Sequence, residues 1–350
     1  QYYISKITQN EVWMKIILDC FGGDNCPDSS INGALLALEE DKSLCITLCG
    51  DEKIIGDRLV GKNYDTKRLN ILHASDVITN DDAPTLAIRR KKDSSMVVGL
   101  QTLASEDYDG FVSSGNTGAL LVGASVIVKR INGVQRCSLS PLLPTMIDGK
   151  STILVDGGAN VDCNAAMLKE FAIMGSAFMK SVHGIENPKV GLLNNGAEEE
   201  KGNELTKAAH ALLKNTNINF VGNIEARDMF TGEVDVIVAD GFAGNVGLKS
   251  AEGMGKVIFS MLKRYIMEGG LRAKLGYLLL KPSLKKLKGI MSSDSVGGGV
   301  FLGAKKIVVK AHGASNDVAF KNAIVRASEM AKVSLSQKIQ DALENTQDNV

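Results

Sequence analysis

The chain lacks most of the features that would assign its class at sight. It has no excess charge of either sign, because 40 Lys+Arg meet 40 Asp+Glu. That balance excludes a histone-like or other strongly basic nucleic-acid binder, and equally an acidic disordered solubiliser. It has no long hydrophobic run: the longest, residues 119–128, is too short to span a bilayer. Its 6 cysteines form no CxxC, and no Cys/His group has zinc-site spacing. With no secretory signal read at the start, we expect free thiols in a reducing cytoplasm. GxSxG and HExxH are absent, as is GxxxxGK[ST], and no GxGxxG precedes a ribose-binding acid. Hydrolase and nucleotide-binding readings are therefore disfavoured. Proline is scarce at 6 residues.

Glycine, in contrast, is plentiful, with 36 in 350 residues against a usual ~7%. Many glycines with few prolines point to tight turns and close backbone approaches, not to a flexible linker. Short apolar runs predict strands at 15–19, 45–49, 69–73, 110–112, 152–155, 189–193, 219–221, 234–239 and 306–309. Helical patterns fill 28–40, 84–105, 117–130, 165–183, 203–214, 244–268 and 317–344. This alternation predicts an α/β fold of three layers, α/β/α, around a mostly parallel sheet. Residues 14–335 read as one catalytic domain and 336–350 as a tail. Residues 1–13, which carry the single tryptophan, read as an upstream or cloning extension outside the fold.

Five predicted strands end in small polar glycine loops. These are Asp19-Cys-Phe-Gly-Gly-Asp24, Ser113-Ser-Gly-Asn-Thr-Gly118, Asp156-Gly-Gly-Ala-Asn160, Asn194-Asn-Gly-Ala-Glu198 and Asp240-Gly-Phe-Ala-Gly-Asn245. Such loops aim backbone N–H groups and helix dipoles at an anion. Each alone is as consistent with a turn or a cap. In a parallel sheet they are expected to converge on one edge. Of four histidines, His312 is the best candidate for a working imidazole, because it follows a strand. A site rich in anion donors and poor in acid/base groups suits phosphate itself as the nucleophile.

The ordered motifs carry a resemblance. They are Asp19-Cys-Phe-Gly-Gly-Asp24, Arg89-Arg-Lys-Lys-Asp-Ser-Ser-Met96, Ser114-Gly-Asn-Thr-Gly-Ala119 and Val155-Asp-Gly-Gly-Ala-Asn-Val-Asp162. Then follow Gly191-Leu-Leu-Asn194, Lys201-Gly-Asn-Glu-Leu205, Gly222-Asn-Ile-Glu-Ala-Arg-Asp228, Asp240-Gly-Phe-Ala-Gly-Asn-Val246 and Lys310-Ala-His-Gly313. From Met14 to about residue 335 the chain closely resembles the phosphate acyltransferases of bacterial phospholipid synthesis, the PlsX family. Departures are small: Cys20 and Phe21 stand where the family usually has a small residue and Met, and the fourth loop has a second Asn.

The resemblance implies a homodimer with a fold like isopropylmalate dehydrogenase and phosphotransacetylase. It implies conversion of acyl-[acyl-carrier-protein] and inorganic phosphate to acyl phosphate, without cofactor or metal. The product would feed a membrane enzyme that acylates glycerol 3-phosphate. Lys201 is expected to act on the phosphate or the developing oxyanion, its bland alternative being a surface pair with Glu198–Glu200. Asn245 is expected to donate to the oxyanion, or to be a plain helix cap. His312 completes the catalytic set. Phosphate or substrate binding falls to Asp19, Gly22, Gly23, Asp24, Arg89, Arg90, Ser114, Gly115, Asn116, Thr117, Gly118, Asp156, Asn160, Asn194, Glu204, Arg227 and Asp240. Cys20 and Cys163 are bystanders. A phosphotransacetylase using acetyl-CoA, and a membrane scaffold without catalysis, remain as alternatives.

The zero charge also conceals an uneven distribution. Residues 249–290 hold ten basic and two acidic residues, which leaves 30 basic and 38 acidic in the other 308. Apolar residues recur there at helical spacing, and Gly269-Gly270 should break the stretch into two helices. A basic amphipathic pair of this kind can lie on an anionic membrane or steer an acidic carrier protein. Its contact residues would include Lys263, Arg264, Leu271, Arg272, Leu275, Leu278, Lys285 and Lys286. A dimer-interface helix pair is the plain alternative. The protein is thus expected to be cytoplasmic and peripherally membrane-associated.

Overall fold

A computed structural model describes residues 13–290 and 298–347. The expected leader, save Trp13, and the last three residues of the expected tail lie outside these. Eleven strands form one sheet: β1 (Met14–Asp19), β2 (Leu44–Gly50), β3 (Leu69–His73), β4 (Gly110–Ser113), β5 (Ser138–Pro144), β6 (Ser151–Val155), β7 (Lys189–Asn194), β8 (Asn219–Glu225), β9 (Val236–Val238), β10 (Gly299–Leu302) and β11 (Ile307–Lys310). Their order is β3-β2-β1-β4-β11-β10-β5-β6-β9-β7-β8.

Continuous apolar runs build most of these strands because both sheet faces are covered. In β1, Ile16 and Leu18 face one layer and Ile17 the other, and all three are fully buried. The first layer contains α1 (Asp28–Glu40), α6 (Ala165–His183), α7 (Glu204–Lys214), α10 (Asp317–Lys332) and α11 (Leu335–Gln347). The second contains α3 (Pro84–Arg90), α4 (Ser95–Ser105) and α5 (Thr117–Gly123) over one half of the sheet. Over the other half lies the start of α8 (Gly241–Glu268). A short α2 (Glu52–Leu59), capped by Asp51, follows β2. The expected α/β/α layering is present, and no helix among the described residues is long and apolar enough to cross a membrane.

Several boundaries differ from expectation for local reasons. The 84–105 pattern is two helices, because Ser94 leaves the helix and its Oγ accepts from Val97 N to cap α4. The 117–130 pattern passes from α5 into a π-helical turn at Ala124–Lys129. The last pattern breaks at Ser334, whose φ is 53°, and restarts as α11. The segment read as a tail from 336 is thus a helix, with Leu335, Ile339 and Leu343 buried against the α6 layer.

The largest surprise is the antiparallel pair β5 and β10. Neither is predicted, because β5 carries two buried serines and two prolines, atypical of a central strand, and β10 is only four residues long. β10 is antiparallel to both β11 and β5, and β5 is antiparallel to β6. Strands β6, β7, β8 and β9 therefore run opposite to β1, β2, β3, β4 and β11.

Beyond Gly244, α8 buries no residue, and neither does α9 (Gly270–Ile290) among the side chains described. Their junction falls at Gly269-Gly270 as expected. The pair forms an arm that exposes Leu271, Leu275, Leu278 and Leu279, the last at 82%. Lys263, Arg264, Arg272, Lys285 and Lys286 are exposed along it.

Candidate active site

The strand reversal corrects the expectation of a single convergent edge. The glycine loops form two clusters, one at the carboxyl ends of each half-sheet, and the register brings these ends nearly level: Lys310 pairs with Gly299, Gly299 with Pro141, and Gly157 packs on Pro141. The first collects the ends of β1, β4 and β11. Asp19 is buried, accepting from Ser95 Oγ and Ser113 Oγ at 2.7 Å each and from Phe21 N at 3.2 Å. Burial raises its carboxyl above the usual range, against the pull of those donors and of Lys310. The loops touch backbone to backbone. A Cβ on Gly22 would lie 2.6 Å from Gly115 N, and one on Gly23 would lie 2.3 Å from Ser114 Oγ. Asp24 N donates to Gly313 O at 2.9 Å, which ties in the β11 loop.

The second cluster collects the ends of β6, β7, β8 and β9. Asp156 is fully buried and organises its loop. Its Oδ1 accepts from Leu139 N, Gly158 N and Ala159 N, and its Oδ2 accepts from Asn160 N and Nδ2. Asp240 caps α8 by accepting from Ala243 N at 2.8 Å. Asn245, on the next turn, lies against this loop: a Cβ on Gly158 would come 3.1 Å from its amide. Asn194 Nδ2 donates to Lys201 O, and Asn223 Nδ2 donates to Glu198 O, so the Lys201 loop is pinned at both ends. The first turns of α8 connect the two clusters, because the Lys249 charge acts on Lys310 in the first.

A model described as "Fatty acid synthesis protein" matches residues 14–338. A phosphate acyltransferase from Acetivibrio thermocellus is 47% identical over 332 residues, covering 95% of this chain and 97% of that one. One from Clostridium novyi is 45% identical over 333 residues, covering 95% and 99%. The chain belongs to the phosphate acyltransferase family. It is an acyltransferase of lipid and fatty acid synthesis. Among solved structures, a phosphotransacetylase from Streptococcus pyogenes shares the fold, with TM-score 0.59 at 17% identity over 94% of this chain and 96% of that one. The EutD phosphotransacetylase from Staphylococcus aureus does so at TM-score 0.58 and 16% identity, covering 91% and 94%.

Within this phosphate acyltransferase fold, the expected residues divide into committed and free groups. Asn116 is committed. Its Oδ1 caps α5 through Ala119 N, and its Nδ2 donates to the carbonyls of Thr79, Asn80 and Asp82. Asn160 is likewise spent on Cys137 O and Asp156, so neither side chain is open to phosphate as expected. Asp156 and Asn194 hold loops together through their side chains. Gly118 packs on Pro84, while Arg89 and Arg90 lie exposed at the other end of α3, away from that contact. Arg227 pairs with Glu225, and Glu204 is exposed in the first turn of α7. His312 is exposed, and its Nδ1 accepts from Ala314 N at 3.3 Å. Thr117 is exposed at the start of α5.

Lys201 and Asn245 are also free. Lys201 is exposed, and its stem lies on Gly196. The alternative pairing with its acidic neighbours is not formed, since Glu199 pairs with Lys214 at 3.0 Å. Asn245 is not the cap of α8, and among the described residues its amide has no hydrogen-bond partner. The thiols are poor nucleophiles: burial pushes Cys163 up to about 11 and Cys20 well above its usual range. Sequence reasoning missed Lys310 and Asn223 as site residues. The available signal for Lys310 was a lysine closing the apolar strand Ile-Val-Val-Lys, where an aliphatic residue is usual.

Proposed function

We propose that the chain moves the acyl group of an acyl-[acyl-carrier-protein] thioester onto inorganic phosphate, giving acyl phosphate for glycerol 3-phosphate acylation. The observation that carries this reading is that an uncommitted ammonium, Lys201 in the loop after β7, and an uncommitted amide, Asn245 at the start of α8 after β9, stand at the ends of strands that run the same way. A phosphate oxygen attacks the thioester carbonyl carbon, forming C–O. The electron pair returns from the oxyanion as C–S breaks, and the carrier leaves as a thiolate that takes a proton from phosphate or solvent. The chain must place two anionic partners and stabilise one oxyanion, for which fixed donors suffice.

The test supplies phosphate with palmitoyl-carrier protein or with acetyl-CoA and traps acyl phosphate as hydroxamate. We expect product from the carrier substrate. Turnover of acetyl-CoA alone would assign the chain to phosphotransacetylase chemistry, and no turnover of either would end the catalytic reading.

We read the protein as a cytoplasmic homodimer that rests on anionic membranes through the α8–α9 arm. The exposed leucines and basic side chains support this reading, each basic residue near an anionic surface contributing about 1 kcal/mol. Leu275→Glu with Leu278→Glu is expected to cut sedimentation with anionic vesicles at least tenfold while leaving turnover of soluble substrate intact. Unchanged sedimentation would remove the membrane assignment.

A further inference from the structure

One partly buried cation has no part in the mechanism above. Lys310 closes β11, and its Nζ donates to Ser114 O at 3.0 Å and to Ala311 O. Those carbonyls belong to the β4 and β11 loops. The β1 loop joins them through Asp24 N, which donates to Gly313 O, and through Gly23, which backs onto Ser114 Oγ. Three glycine loops therefore meet at one ammonium that has spent two of its three N–H donors. Asp19 and Asp24 lie within range of its charge, yet neither forms an ion pair with it. Asp19 is already occupied by Ser95, Ser113 and Phe21 N. A second cation, Lys249, is brought near by α8. Lys249 Nζ pairs with Glu252 at 2.8 Å, and Lys310 keeps one N–H donor unspent among the glycine loops.

We propose that Lys310, seconded by Lys249, forms the seat of the phosphate substrate at the ends of β1, β4 and β11, while Lys201 and Asn245 serve the acyl group from the facing ends of β7 and β9. This rests on phosphate being a substrate, and it assigns the two reactants to separate clusters joined by α8. Burial pulls the Lys310 ammonium down to about 8, with Lys249 adding to the lowering and Asp19, Asp24 and Cys26 opposing it. Its charge should therefore be lost across the mildly alkaline range. Phosphate is already dianionic there, and the Cys26 thiol, pushed up by burial, stays neutral.

The experiment measures the KM for phosphate and for acyl donor from pH 7 to 9.5, together with phosphate binding by 31P NMR. In the wild type, phosphate affinity should fall roughly 30-fold across this range, as expected for one required proton with a pKa near 8, with the acyl-donor KM flat. Lys310→Arg should abolish that alkaline limb, because guanidinium stays charged. Lys249→Met removes an exposed side chain and spares the fold. It should shift the limb to higher pH by relieving like-charge repulsion, and weaken binding at pH 7 several-fold. Lys310→Met should raise the phosphate KM at least tenfold at pH 7. A limb that persists in Lys310→Arg, or that belongs to the acyl donor, would overturn the assignment. If the wild type makes no acyl phosphate, the catalytic reading fails on its own, and the NMR titration still decides whether Lys310 binds phosphate.

Discussion

Replacing Lys201 by methionine is expected to lower acyl phosphate formation about 10³-fold with no measurable change in thermal stability. Methionine keeps the stem that lies on Gly196 and removes only the charge. The loop geometry does not depend on the ammonium. It is held by Asn194 Nδ2 on Lys201 O, by Asn223 on Glu198 O, and by Gly202 at φ +100°, where a Cβ would strike Thr206 Oγ1. The ammonium itself has no partner among the described residues, so its loss leaves no buried charge unpaired. Its value lies in the transition state, where a fixed cation beside growing negative charge stabilises most. Asn245→Ala should cost roughly 10²–10³-fold, the range for a single oxyanion donor. Arginine at 201 should restore only part of the rate, because a planar fork does not replace a compact ammonium. A Lys201→Met rate within threefold of wild type would remove Lys201 from the mechanism.

Asp156→Ala is expected to act in the opposite way, through the fold. The buried carboxylate accepts from the backbone N–H groups of Leu139, Gly158, Ala159 and Asn160, and from the Asn160 amide. Alanine strands these donors away from water, at about 1–3 kcal/mol for each that finds no new partner. Partial relaxation and water entry bring the expected loss to about 3–5 kcal/mol, or a Tm lower by roughly 10 °C. Activity should fall as well, because Asn160 O accepts from Gly241 N at 2.7 Å and so anchors the first turn of α8. Asparagine should be intermediate, keeping one acceptor but turning an NH2 toward N–H groups. A Tm shift under about 2 °C for Asp156→Ala would show that the loop holds without its carboxylate.

These opposed outcomes mark where the sequence could be read and where it could not. Strands such as 45–49 and helices such as 28–40 were legible because burial on both faces, or one apolar stripe, leaves a plain pattern. The Gly-rich loops were legible too, as places where backbones touch. Their grouping was not, because it depends on the sense of β6, which is set by β5 and β10. A strand carrying Pro141 and two buried serines gives no periodic signal. Nor could residue type separate Asn116 and Asn160 from Asn245. A carboxamide serves equally as cap, brace or free donor, and only its neighbours decide. Lys310 was invisible for the converse reason: its environment is built by loops nearly 200 and 300 residues away in sequence.

The position of β11 has one more consequence, for synthesis. β4 and β5 never pair directly, and the two half-sheets are bridged only by β10 and β11, within residues 299–310. A chain emerging from the ribosome therefore completes two half-sheets long before it makes the strands that join them. Until then each carries an open inner edge of unpaired N–H and C=O groups, a ready template for pairing with a neighbouring nascent chain. The last-made strands close both edges at once, so the interval between residue 144 and residue 310 is the stretch of translation most exposed to misassembly.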